Sequence, residues 1–135
     1  TPMSAVQSGI MVLGDQRGAA HADFDGDGRL DLVVTENAGA TRLFRNQAAA
    51  PGIRVRLAGP AANPDGIGAQ VRLVVGDRMG PVREVQAGSG YWSQNGAVQV
   101  LGAPTPPTAV WVRWPGGAVS RTAVPAGAVE VVVRP

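Results

Sequence analysis

HADFDGDGRLDLVV, residues His21–Val34, sets Asp23, Asp25, Asp27 and Asp31 within nine residues and places Gly26 and Gly28 among them. Carboxylates this close repel one another unless a cation sits between them. A hard ion such as Ca2+ takes roughly 6–8 oxygen ligands, which a tightly curled loop can aim at one point. The stretch therefore predicts a calcium loop. An EF-hand does not fit, because its twelfth position counted from Asp23 is Val34, where a bidentate carboxylate is needed, and helices are not indicated on either side. The last carboxylate falls at the ninth position, directly before the apolar run Leu32–Val34, so the loop joins two strands. The expected ligands are the side chains of Asp23, Asp25, Asp27 and Asp31, with the backbone carbonyl of Arg29 as a fifth. Gly26 and Gly28 let the backbone curl through positive φ. The plainer alternative is an Asp/Gly hairpin turn, but that needs only one Asp or Asn and one Gly.

Around the loop the chain reads as all-β. It has 135 residues, 44% of them hydrophobic, and its 19 Gly and 11 Pro leave no run free of both longer than Ala40–Ala50. Long helices are thereby disfavoured. Residues 18–22, Leu32–Thr35 and Thr41–Arg45, with a turn at Asn37–Gly39, predict a three-stranded antiparallel meander carrying the loop. Beyond Pro51 the pattern alternates with period two: Ile53/Val55/Leu57 against Arg54 and Arg56, then Val71/Leu73/Val75, Val110/Val112/Trp114 and Val129/Val131/Val133. About seven such strands would close a small antiparallel β-sandwich or barrel. Two domains are expected, residues 1–50 with the calcium loop and residues 51–135 as the β domain, joined by a short linker at Gln47–Gly52.

All 12 basic residues are Arg, which lifts the isoelectric point to 10.4 although the net charge is only +2. They are scattered singly, without the basic stripe and interleaved aromatics of a nucleic-acid binder, so no nucleic-acid partner is expected. The bias is that of a GC-rich, bacterial type of genome. With no cysteine there are no disulfides, and no membrane-inserting run or signal peptide is visible. Oxygen-ligand calcium sites with a Kd of roughly 10⁻⁴–10⁻³ M fill outside the cell, which predicts an extracellular or periplasmic location. The start at Thr1 leads us to expect a fragment whose export signal lies upstream.

Two further segments carry functional expectations. Gly88–Gly96, GSGYWSQNG, places Tyr91 beside Trp92; on an extended segment they point to opposite sides, so one at most is fully buried. One reading has an exposed aromatic, with Ser93 and Gln94 beside it, stacking on a sugar ring or anchoring a protein partner. The other has one ring plugging the sandwich while the amides satisfy backbone groups. Trp114 is expected in the core and Trp111 on the opposite face, either surface-exposed or packed against the first domain. Enzymatic chemistry is not expected. His21 is the sole histidine, Glu36, Glu84 and Glu130 lie in separate segments, and no nucleophile elbow or zinc spacing is present.

GAAHADFDGDGRLDLVVTENAGATRLFRN, Gly18–Asn46, resembles an FG-GAP or VCBS-type repeat, the blade unit of integrin-α-like propellers. That resemblance implies a blade whose loop binds Ca2+. The segments DGIGA at Asp65–Ala69, GSGY-x-SQ at Gly88–Gln94 and V-x-V-x-WP-x-G at Val110–Gly117 are similar to the ASPIC/UnbV domain, also seen at the C-terminus of the cartilage acidic protein family. Such proteins place several repeats before that domain, and here there is one acidic loop. A single blade cannot bury both faces, so its strands are expected to dock on the sandwich or self-associate with another copy. The functional expectation is a non-catalytic, calcium-binding module for adhesion, recognition or scaffolding. Alternatives are a carbohydrate-binding module using Tyr91 or Trp92 and an accessory domain of an exported enzyme.

Overall fold

The computed structural model describes residues 3–135. One helical turn, α1 (Ala5–Ser8), is capped by Ser4 at its start and by Gly9, in the left-handed region, at its end. Everything after it is strand and turn. No helix among the described residues is long and apolar enough to cross a membrane.

The expected meander is present: β1 (Gln16–Ala22), β2 (Asp31–Glu36) and β3 (Arg42–Phe44) form an antiparallel sheet in the order β1-β2-β3. Register pairs Ala20 with Val33 and Val33 with Leu43, so the Asp-rich loop is the β1–β2 connection. The turn between β2 and β3 carries Ala38 at φ 54. Only Val34 is a buried hydrophobic residue within this sheet, while Phe24 and Leu43 stand exposed.

The remaining strands are β4 (Ile53–Leu57), β5 (Gln70–Val75), β6 (Arg78–Met79), β7 (Arg83–Glu84), β8 (Gln99–Leu101), β9 (Ala109–Arg113), β10 (Val119–Ala123) and β11 (Glu130–Val133). They make two sheets. One runs β10-β9-β5, with β6 and β7 both pairing β5, and the other runs β11-β4-β8. Their inner faces meet as a sandwich: Val55, Leu57, Leu101, Val131 and Val133 from one sheet pack with Val71, Leu73, Val110, Val112 and Trp114 from the other. Fully burying each such valine contributes roughly 1.5–3 kcal/mol. Alternation had pointed to all of these but Leu101, because period two puts one set of side chains on one face; it had also pointed to Val129, which lies before β11 and stands exposed.

The expected all-antiparallel arrangement needs one correction. β11 runs parallel to β4, pairing Val131 with Val55 and Val133 with Leu57. A parallel pair needs a long connection, and here the whole domain intervenes between its first and last strands. The strands form two separate sheets, and no barrel closes among the described residues.

Two of the motif segments pack against the core. In DGIGA, Gly66 sits at φ 66, where a Cβ would lie 2.6 Å from Leu57 Cδ1. This loop therefore threads beneath the core, and Ala69 is fully buried. Trp114 closes the core at the β9–β10 hairpin and donates its indole N–H to Ser120 Oγ at 2.9 Å. Trp111 is half-buried on the outer face of its sheet, with Arg72 and Arg121 as its cross-strand neighbours in register.

Candidate metal centre

The loop between β1 and β2 is wound by its own carboxylates. Asp25 Oδ1 accepts from the Asp27 N–H at 3.3 Å, Asp27 Oδ1 from the Arg29 N–H at 2.9 Å, and Asp23 Oδ2 from the Gly28 N–H at 2.9 Å. The first two are the side-chain-to-backbone bonds that Asp makes in turns, and the third spans five residues. Gly26 and Gly28 take φ 78 and 81, as the curl demands. The winding brings one ligand atom each of Asp23, Asp25 and Asp27 to within 4.8 Å of one another.

Asp31, the fourth expected ligand, lies outside that group of three and fastens the loop. It is 3% exposed, and its two oxygens accept from the Phe24 N–H at 3.0 Å and the Asn46 N–H at 2.8 Å. It thus ties the start of the loop to the chain leaving β3. Arg29 lies in the same winding, with its guanidinium 2.9 Å from Asp27 Oδ2 and bonded to the Ala49 carbonyl.

Three arginines face the three aspartates. Arg29 pairs with Asp27, Arg45 reaches both Asp25 and Asp27, and Arg54 Nη1 lies 3.3 Å from Asp23 Oδ2. Partial desolvation raises the Asp27 carboxyl. The Arg29 side-chain and backbone hydrogen bonds, with the charges of Arg29 and Arg45, outweigh that and hold it below the usual carboxylate value of 3.8. Arg45 and Arg54 went unnoticed in the sequence. Arg54 alternates with buried residues on β4 and so reads as solvent-facing, yet its side chain is only 17% exposed. A Cβ at position 26 would come 2.7 Å from Arg54 Nη1 and would push the guanidinium aside, while its φ of 78 is what calls for glycine.

Calcium fits these residues. The Asp23 side chain is 1% exposed, and its Oδ1 is buried without a hydrogen-bond partner. Such an orphaned carboxylate oxygen is costly in a native fold. It stands beside two further carboxylates in an all-oxygen donor set, the kind hard cations prefer.

The loop is also fastened to the sandwich. The Gly52 N–H donates to the Gly28 carbonyl at 2.8 Å, so the Gln47–Gly52 linker is bonded to the loop it follows. At the outer edge of β1, the His21 N–H donates to Asn95 Oδ1 at 3.0 Å and the Gly96 N–H donates to the His21 carbonyl at 2.9 Å. The meander is therefore docked on the loop between β7 and β8 of the sandwich, one of the two arrangements expected. His21 lies outside the aspartate group, exposed on this edge.

Gly88–Gly96 keeps the exposed-aromatic reading and departs from the plugged one, although the Asn95 amide does satisfy a backbone group. Trp92 has φ 50 in a tight turn bridging Gly90 and Ser93, so the segment is not extended there. Neither ring plugs the sandwich: Tyr91 is 65% and Trp92 84% exposed, and they stack on each other with centroids 5.4 Å apart and planes at 12°. Ser93 is half-buried in the bridge. Gln94 lines a depression of about 510 Å³ with Ala20, Phe24, Val33 and Leu43.

A family model described as ASPIC and UnbV matches residues 59–134, and one described as FG-GAP repeat matches residues 17–45. The second match spans β1, the aspartate loop, β2 and β3; the first spans the sandwich after β4 and all of Gly88–Gly96. Comparison with curated proteins gives no match.

Proposed function

Because the chain belongs to the ASPIC and UnbV family and carries an FG-GAP repeat ahead of that domain, we propose that it is a non-catalytic, calcium-binding extracellular module for adhesion, protein recognition or scaffolding. The observation that carries the calcium reading is the buried, partnerless Oδ1 of Asp23 beside Asp25 and Asp27. The ion's role is structural. Asp23, Asp25 and Asp27 would hold it, and its charge would offset their mutual repulsion. At free calcium of about 100 times Kd, binding stabilises the folded loop by about 2.7 kcal/mol.

Thermal melting with and without chelator tests this. EDTA lowers the melting temperature of the wild type, and Asp25→Ala removes the difference. A wild-type transition indifferent to EDTA, together with a silent Asp25→Ala, refutes calcium binding.

A second reading is a carbohydrate-binding role at Tyr91 and Trp92, favoured by the exposure and mutual stacking of the two rings. Aromatic faces held rigidly at low entropic cost suit both sugar rings and protein partners. A glycan array separates the two: binding that disappears in Trp92→Ala supports the carbohydrate role, and uniform silence leaves protein recognition as the better account. In a larger exported enzyme the same module would serve as an accessory domain.

A further inference from the structure

We propose that the sandwich takes part in metal binding: Arg54 is a positioning residue for Asp23, and Glu130, on the last strand, sets the cation affinity of the loop through Arg54. This rests on the calcium reading above.

Arg54 lies on β4, in register with Glu130 on β11. Its Nη1 is 3.3 Å from Asp23 Oδ2 on one side, and its Nε is 3.1 Å from Glu130 Oε2 on the other. The Nε–H is not directed at that oxygen and has no hydrogen-bond partner, so this second contact is one of charge. Glu130 Oε1 takes Arg56 Nε at 3.2 Å. With Gly28 N–H and Arg54 both on Oδ2, the Asp23 carboxylate is held with Oδ1 uncommitted. Arg54 thus orients the ligand oxygen, but as a cation it also competes for the carboxylate's charge.

Glu130 resolves that conflict. While it shares Arg54, less of the guanidinium charge bears on Asp23, and the carboxylate keeps its pull on a divalent ion. Without Glu130, Arg54 would stand uncompensated beside an incoming dication, in a partly desolvated place where salt screens it poorly.

Calcium titration by calorimetry at low ionic strength tests this on the whole chain. Glu130→Gln lowers Ca2+ affinity by about 3–10-fold, the effect of one uncompensated charge a few ångströms from the site. In an Arg54→Met background the same substitution changes affinity less than about twofold, because the cation it balanced is gone. Arg56→Met, which leaves Glu130 to Arg54 alone, does not weaken binding. Equal affinities for wild type and Glu130→Gln overturn the proposal, as does an equal loss in both backgrounds, which would mark a direct field effect. A wild type that takes up no Ca2+ refutes the calcium reading itself and the coupling with it.

If Glu130→Gln does not fold, the wild type carries the test by NMR. The Arg54 Hε resonance must move along the Ca2+ titration with the loop amides while Arg56 Hε stays in place. An Arg54 Hε that does not respond overturns the proposal.

Discussion

Asp31→Asn separates the aspartate that builds the loop from those that face a cation. Asp31 is 3% exposed and accepts two backbone N–H bonds, from Phe24 and Asn46. Asparagine has the same shape, but one of its terminal atoms is a donor. One of the two bonds is therefore lost, and an N–H is left facing an NH2 group. A hydrogen bond to a charged acceptor contributes about 1.5–3 kcal/mol, and a buried unsatisfied donor costs about 1–3 kcal/mol. These overlap, so we expect a loss of about 3 kcal/mol. For a chain of this size that lowers the melting temperature by about 10 °C. The assay is thermal unfolding in EDTA, where no metal contributes. Asp25→Asn is the control: Asp25 is exposed, accepts one 3.3 Å bond and pairs with the exposed Arg45, so in EDTA the substitution shifts stability by about 1 kcal/mol or less. If Asp31→Asn melts with the wild type in EDTA, or Asp25→Asn costs as much, the division of labour among the aspartates is wrong.

Gly28→Ala should destabilise by about 2–4 kcal/mol in urea titration, since its φ is 81 and a Cβ would stand 2.9 Å from the Gly52 carbonyl it lies against. Asp27 has a depressed carboxyl in the folded chain, so in chelator the stability it contributes is fully present above its ordinary value of 3.8 and is lost as pH falls below that through the lowered folded value. Arg29→Met should move the Asp27 carbon resonance midpoint back up toward 3.8. Arg45→Met should raise Ca2+ affinity several-fold by calorimetry, because the exposed guanidinium on Asp25 and Asp27 is a built-in rival cation; unchanged affinity would show that Arg45 moves aside at no cost.

What was legible in the sequence follows the range of the forces involved. Alternation over Ile53–Leu57 or Val110–Trp114 records a local geometric rule, and those residues are the ones in the core. The Asp-Gly spacing of His21–Val34 is equally local, since an Asp bonds its own backbone two residues on. The parallel β11–β4 pair was not legible, because it joins the two ends of a domain, and a parallel strand has the same period as an antiparallel one. Tyr91 and Trp92 misled for a related reason. Adjacent residues diverge only on an extended backbone, and nothing in the letters GSGYWSQNG announces that Trp92 takes φ 50.

Arg54 shows most clearly where the pattern argument stops. At an outward position of β4 an arginine is what a solvated face predicts. That face stops being solvent once the blade loop folds over it, placing Gly26 against the guanidinium and Asp23 within ion-pair distance. The same fold-over leaves the Gly28 carbonyl on the Gly52 N–H. On the proposed calcium reading, the affinity of the loop is not set by its own nine residues, because the Asp23 carboxylate leans on Arg54 of β4. The spacing of the aspartates accounts for their convergence, and under the proposed coupling the charge that convergence would offer a cation depends on Arg54 and on how fully Glu130 offsets it.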